Sequence, residues 1–175
     1  YTDGAGADEL VVSDPTQVVA NVNDAPTGYV SIDGVATQDQ ILTANITNLS
    51  DLDGLGTLSY QWKANGVNIN GASSKTYTLK QDEVGKAISV EVSYIDGGEA
   101  VESVLSSVTA PVLNINDDPT GLVSVLGIAA QGQTLTAITN TLVDPDGLGA
   151  LSYQWRANGT NINGATSSTY TLTQS

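Results

Sequence analysis

Strict alternation of apolar and polar residues predicts that this chain is built from short β-strands. The clearest case is Ile88–Tyr94, in which every second residue is apolar and the residues between them are polar. A period of two places one face of a strand in a core and the other face in solvent. Leu58, Tyr60 and Trp62 follow the same rule. No stretch has convincing helical periodicity, so we predict an all-β fold.

Turn residues divide the central part of the chain into about seven short strands. The strongest turn signal is Asn65-Gly66, because this pair is typical of a two-residue hairpin. The predicted strands occupy 29–32, 40–47, 57–63, 67–69, 76–79, 86–95 and 100–113. Short strands at this spacing, with one Trp on the third strand, predict an immunoglobulin-like β-sandwich.

The same pattern recurs after 93 residues. The string DLDGLGTLSYQW at 51–62 returns as DPDGLGALSYQW at 144–155, and 49 of the 82 comparable pairs are identical without a gap. A long fixed period is the signature of a tandem repeat. We therefore predict the last strand and linker of a preceding repeat at 1–24, with the strand inside 1–20. A complete repeat follows at 25–117, and the first part of another at 118–175.

Composition restricts the chemistry that the chain can perform. It contains no Cys and no His, so we expect no disulfides, no zinc, copper, haem or iron–sulfur ligation and no His-dependent triad. Nineteen acidic residues against five basic ones give a net charge of −14, which makes nucleic acid and anionic membranes poor partners. The remaining metal ligands are oxygen atoms, and these suit calcium.

Neither membrane insertion of this segment nor enzymatic activity is expected. The sequence shows no signal peptide. It also has no apolar run of the length that a membrane-spanning helix requires. Paired carboxylates could serve a glycosidase, but nothing in the sequence indicates a substrate cleft.

Three strings carry a resemblance to a known class of protein. They are SYQWKANG at 59–66, TYTLKQDEVGK at 76–86 and the linker NVNDAPTG at 21–28. These strings resemble the tandem immunoglobulin- or cadherin-like repeats of giant bacterial surface adhesins, many of which are secreted proteins of the RTX class. The resemblance implies an extracellular or cell-surface extender that acts in cell adhesion and biofilms, often with calcium between repeats. Its implied partners are the neighbouring repeats of the same chain.

Strand order in such a sandwich predicts where the acidic residues meet. The loop before the third strand and the loop between the last two strands lie where the chain enters, while the acidic loop before the sixth strand lies where it leaves. We therefore expect calcium ligands at two junctions. The first comprises Asn23, Asp24, Asp51, Asp53 and Asp96. The second comprises Asp82, Glu83, Asn114, Asn116, Asp117, Asp144 and Asp146.

Other interpretations of the same residues remain open. Asp-Gly and Asn-Asp pairs also form turns without any ion. Trp62 and Trp155 could stack on sugars, although their place on the third strand favours a core. The chain could then be a carbohydrate- or protein-binding module. It could also be a subunit of an extracellular filament in which copies exchange strands.

Overall fold

The computed structural model describes residues 1–174, and its regular structure is all β apart from a short 3-10 helix at Gln81–Glu83. The strands are β1 (Thr27–Gly28), β2 (Ser31–Asp33), β3 (Ile41–Asn45), β4 (Leu49–Ser50), β5 (Ser59–Ala64), β6 (Val67–Asn68), β7 (Thr76–Thr78), β8 (Ile88–Ile95), β9 (Val101–Leu105), β10 (Ser124–Leu126), β11 (Thr134–Ile138), β12 (Arg156–Ala157), β13 (Thr160–Asn161) and β14 (Thr169–Thr171). Across the described residues, no helix has the length and apolar character that a bilayer crossing requires.

Two antiparallel sheets form the body of residues 25–117. One sheet has the strand order β2-β3-β7, and the other has the order β6-β5-β8-β9. The central pairing is that of β5 with β8, which runs in register from Ser59↔Ser93 to Ala64↔Ile88. This arrangement, with a core shared by both sheets, is consistent with a β-sandwich.

The core contains side chains from both sheets. Leu42 and Ala44 of β3 belong to one buried cluster with Trp62, Val90 and Val92 of β5 and β8, and all five are 0% exposed. Burial of one such aliphatic side chain contributes about 1.5–3 kcal/mol. The alternation seen in the sequence is therefore the basis of this core.

Trp62 is confirmed as a core residue. Its ring stacks against Tyr77 with centroids 6.1 Å apart. Its indole N–H donates to the carbonyl oxygen of Ser74 at 2.9 Å, so the one polar group of the side chain is satisfied.

The predicted hairpin between β5 and β6 is also confirmed. Ala64 pairs with Val67, and the two turn residues Asn65 and Gly66 have φ angles of 48° and 80°. Positive φ at both central positions is what a two-residue hairpin turn requires, and Asn and Gly tolerate it best.

The range 118–174 repeats part of this architecture. Strands β10, β11, β13 and β14 are offset by 93 residues from β2, β3, β6 and β7. They form the sheets β10-β11-β14 and β12-β13. Among the described residues no strand follows β14, so this range contains no counterpart of β8 or β9.

Residues 1–20, predicted to contain the last strand of a preceding repeat, form no strand in the structure, and their membership of such a repeat stays a prediction. The one β-bridge in this segment joins Thr2 and Asp8 around a tight turn. Beyond it Val18 is 95% exposed. A strand needs a neighbour to accept its hydrogen bonds, and no other strand of the described chain lies alongside this segment.

Two details of the last strands also differ from the prediction. The final strand ends at Leu105 instead of continuing to 113, and the following segment bonds to β8 through Ser106 and Thr109. Ser89, predicted to face solvent, is only 2% exposed. The segment after β9 stays hydrogen-bonded along the edge of β8.

Candidate metal centre

Three carboxylates converge at the end of the sandwich where the chain enters. Asp51, Asp53 and Asp96 bring ligand oxygens within 4.8 Å of one another, and no other group of three potential ligands this close occurs among residues 1–174. The register Ser59↔Ser93 explains the meeting. It places the loop before β5 beside the loop after β8, as the sequence pattern predicted.

Asp51 is fixed through both of its oxygens. Oδ1 accepts from the backbone N–H of Asp53 at 2.9 Å, which tightens the loop. Oδ2 accepts from the hydroxyl of Tyr94 at 2.7 Å. Burial, and then this carboxylate, raise the pKa of Tyr94 well above its usual range. The hydroxyl therefore stays protonated and continues to donate.

Asp53 holds the incoming linker. Its Oδ2 accepts from the backbone N–H of Asp24 at 2.7 Å, and its Oδ1 accepts from the side-chain amide of Asn21 at 2.8 Å. These two hydrogen bonds, the first more than the second, lower the pKa of Asp53. The carboxylate is thus ionised at neutral pH and ties the linker to the sandwich.

Asp96 carries the group that most needs a ligand. The residue is 5% exposed, and its Oδ1 accepts from the backbone N–H of Ala100 at 2.8 Å. Its Oδ2 is buried without a hydrogen-bond partner. Burial of an unsatisfied carboxylate oxygen is costly. The ion pair found in the described part of the chain, Lys63–Glu91, involves none of these three residues.

Glycine allows the two loops and the linker to approach this closely. A Cβ on Gly98 would lie 2.8 Å from Nδ2 of Asn21 and 3.3 Å from Oδ1 of Asp96. A Cβ on Gly97 would lie 2.6 Å from the carbonyl oxygen of Asp53, which accepts from the Gly97 N–H at 3.0 Å. A side chain at Gly97 would clash with the backbone of Asp53, and one at Gly98 would crowd Asn21 and the carboxylate of Asp96.

Two residues predicted for this junction, Asn23 and Asp24, lie outside the three-carboxylate cluster, and Asp24 takes part only through its backbone N–H. Asn23 donates through its side-chain amide to Oε1 of Glu102 at 2.9 Å. The sequence pattern did not indicate Asn21, Tyr94 or Glu102 as parts of the junction. Asn21 could have been found, because it lies 93 residues before Asn114, which was included.

At the second junction the structure brings four of the predicted residues together. Oδ2 of Asp146 accepts from the backbone N–H of Asp117 at 2.7 Å, and the N–H of Asp146 donates to Oδ1 of Asp144 at 2.9 Å. The backbone N–H of Asp117, followed by the side chain of Asn114, lowers the pKa of Asp146. The Asp144–Asp146 loop therefore holds its linker as the Asp51–Asp53 loop does.

The acidic loop before β8 meets this junction through a different residue from those predicted. Gln81 donates to Oδ1 of Asp146 at 3.2 Å. Glu83 is buried, and its Oε2 accepts from the N–H of Lys80 at 2.9 Å, at the start of the 3-10 helix. Burial, and then Glu83, raise the pKa of Tyr77 to about 12.

The other predicted residues of the second junction form no close carboxylate group with Asp144 and Asp146. Asp82 lies in the 3-10 helix. Asn116 donates to the carbonyl oxygen of Asp117 at 3.1 Å. The three-carboxylate cluster at the first junction therefore has no equivalent within the described residues.

A buried glutamine fixes the outgoing linker. Gln38 is 3% exposed, its Nε2 donates to Oδ2 of Asp117 at 2.8 Å, and its Oε1 accepts from the N–H of Ile115 at 3.1 Å. Nothing in the sequence indicates this role for Gln38, because a polar residue in a turn carries no pattern that indicates burial.

Comparison of the chain with protein-family models, curated proteins and solved structures gives no match. Its function must therefore be argued from the residues and their geometry.

Proposed function

We propose that the chain is an extender of tandem immunoglobulin- or cadherin-like β-sandwich repeats, with a 93-residue period, in a bacterial cell-surface or secreted adhesin. In this proposal, calcium bound by Asp51, Asp53 and Asp96 stiffens the junction with the preceding repeat. The observation that carries the proposal is Asp96, which belongs to a cluster of three carboxylates and whose Oδ2 is buried without a hydrogen-bond partner.

The donor set fits calcium better than other metals. All three side chains offer oxygen, and calcium takes 6–8 oxygen ligands from carboxylates, carbonyls and water. Zinc and copper prefer nitrogen or sulfur ligands, which the chain lacks because it has no His and no Cys. A divalent cation would also neutralise the repulsion among three carboxylates at short distance.

Calcium at this position would act on the linker. Asp53 is both a candidate ligand and the acceptor for Asn21 and Asp24. An ion that fixes Asp53 therefore also fixes the segment that leads to the preceding repeat. A series of such junctions would make the array of repeats rigid, and an extender needs this rigidity. The bacterial surface is proposed from the sequence resemblance alone.

The core position of Trp62 favours an extender over a sugar-binding module. A stacking platform must be exposed, whereas this ring is 0% exposed and its N–H is already bonded to Ser74. Of the two tryptophans that could stack on sugars, Trp62 is thus occupied by the core, and Trp155 is half-buried.

Thermal unfolding with and without calcium tests the proposal. Ligand binding to the native state alone stabilises it, by about 2.7 kcal/mol at a concentration 100 times the Kd. We expect calcium to raise the Tm of the wild-type chain. In Asp96→Asn the calcium-free Tm should be equal or higher, because a buried charge is removed, while the increase caused by calcium should be largely lost.

The matched control is Asp118→Asn. This residue is an exposed aspartate of the second linker, so its replacement makes the same charge change away from the cluster. The control should keep the full calcium response. Equal calcium responses in wild type and Asp96→Asn would reject the site.

A further inference from the structure

Two Asn-Gly pairs of the central sandwich have the same sequence and different surroundings. Asn65-Gly66 joins β5 to β6, and Asn70-Gly71 forms the turn that follows β6. All four residues are exposed. A Cβ placed on either glycine would have no atom within 4 Å, so both pairs lie in open space. A difference in their behaviour must therefore come from how each asparagine is held.

Asn65 is fixed by the residue that precedes β8. Its backbone N–H donates to the carbonyl oxygen of Ala87 at 2.8 Å, and its Oδ1 accepts from the N–H of Ala87 at 2.9 Å. The first bond holds the main chain, and the second holds the side-chain amide. Rotation of this amide toward Gly66 would break the second bond and leave the N–H of Ala87 without its partner.

Asn70 has no such restraint. Its side chain is exposed and makes no hydrogen bond to any other residue in the described part of the chain. The turn itself is closed by the N–H of Ala72, which donates to the carbonyl oxygen of Ile69 at 3.2 Å. This distance is at the long end of the usual range. The side-chain amide of Asn70 is therefore free to rotate toward the backbone nitrogen of Gly71.

An asparagine that reaches the next backbone nitrogen reacts without an enzyme. The amide nitrogen of Gly71 attacks Cγ of Asn70, so that an N–Cγ bond forms and the Cγ–Nδ2 bond breaks. The side-chain nitrogen takes up the proton lost by the Gly71 nitrogen and leaves as ammonia. Water then opens the succinimide ring at either carbonyl carbon, which gives aspartate or isoaspartate. Glycine favours the attack because it has no side chain to hinder it.

We propose that Asn70 is a site of spontaneous deamidation, and that Asn65, in the same dipeptide, is protected by its hydrogen bonds to Ala87. The turn at Asn163-Gly164, 93 residues after the first, is closed by the same hydrogen bond at the same length. It is a second site of this kind. The proposal does not rest on the calcium centre.

The isoaspartate product should disturb the core beneath the turn. Isoaspartate adds a carbon atom to the main chain between residues 70 and 71. On one side of this point, the N–H of Ile69 donates to the carbonyl oxygen of Trp62 at 2.9 Å. On the other side, the carbonyl oxygen of Ala72 accepts from the N–H of Trp62 at 3.0 Å. A longer main chain between these two anchors would weaken both bonds, whereas aspartate leaves the main chain unchanged.

Ageing of the whole chain in a mildly alkaline buffer, folded and in guanidinium, tests the proposal. Trypsin cleavage after Lys63 and Lys75 releases residues 64–75, so fragmentation of one peptide in a mass spectrometer reports on both asparagines. In the folded chain Asn70 should convert roughly tenfold or more faster than Asn65, because Asn65 must first open locally. In guanidinium the two should convert at similar rates, since the dipeptides are the same and the fold is lost.

The variants Asn70→Gln and Asn70→Asp serve as controls. The first should abolish conversion at this position in the folded chain. The second supplies the aspartate product, and the isoaspartate-containing fraction of aged wild type should have a lower Tm than this variant.

Three results would overturn the proposal. Equal rates at Asn65 and Asn70 in the folded chain would show that the bonds to Ala87 do not protect. An Asn70 that stays intact in the folded chain while it converts in guanidinium would remove the site. Equal Tm values for the isoaspartate fraction and Asn70→Asp would contradict the effect on the core.

Discussion

The backbone N–H of Asp24 donates to Oδ2 of Asp53 at 2.7 Å, and Asp117 makes the same bond to Asp146 at the same length. The two pairs lie 93 residues apart. In each, the second aspartate of an Asp-x-Asp-Gly loop holds the linker that enters its sandwich. The first pair has a third carboxylate beside it, and the second has none within the described residues.

Removal of the Trp62 side chain tests the assignment of the core. Trp62→Ala should lower the free energy of unfolding of the central range by about 3–5 kcal/mol, as loss of a buried aromatic side chain does. A guanidinium titration measures this change. Trp155→Ala, at the half-buried counterpart, should leave the transition of the central range almost unchanged. A loss below about 1 kcal/mol in Trp62→Ala would contradict the core position.

Replacement of Gln38 tests the attachment of the outgoing linker. Gln38→Ala removes two hydrogen bonds, to Ile115 and Asp117, and should cost about 1–3 kcal/mol. The amide of Ile115 should also exchange faster. Gln131→Ala is the matched control, since Gln131 occupies the corresponding position and is exposed. Unchanged exchange at Ile115 in Gln38→Ala would show that the bridge does not hold the linker.

Protonation of Asp53 should release the incoming linker, and this should happen only at low pH. The N–H of Asp24, and then Asn21, lower the pKa of Asp53 in the folded chain. A depressed folded pKa contributes stability above the unfolded value, near 3.9, and this stability is lost as pH falls through the folded pKa. The Asp24 amide resonance should therefore titrate with a midpoint below about 3.9. A midpoint at or above that value would contradict the hydrogen-bonding account.

Much of the fold could be predicted from local patterns, because burial on one face imposes a period of two. The alternation along β8 is confirmed except at Ser89, and the core position of Trp62 and the Asn65-Gly66 hairpin are confirmed. The convergence of Asp51, Asp53 and Asp96 followed from strand order, since neighbouring strands bring their end loops together.

The remaining features depend on partners that no local pattern reveals. Gln38 is buried where two groups of the linker hydrogen-bond to it. Tyr94 is a core residue, and it contacts Asp51 through its hydroxyl group. The segment 1–20 has the apolar content of a strand and lacks a neighbour to pair with. It forms no strand in the structure, because a strand requires a second segment to pair with.

Amide exchange of Asp24, measured by NMR in calcium and then in chelator, tests the central claim most directly. Its N–H bonds to Asp53, so an ion held by Asp51, Asp53 and Asp96 should slow its exchange, and chelator should reverse the effect. The Asp117 amide, whose acceptor Asp146 belongs to no three-carboxylate cluster in the described chain, should respond less. If the Asp24 amide exchanges at the same rate in calcium and in chelator, calcium does not stiffen this junction. The three aspartates would then only stabilise the loops in which they lie.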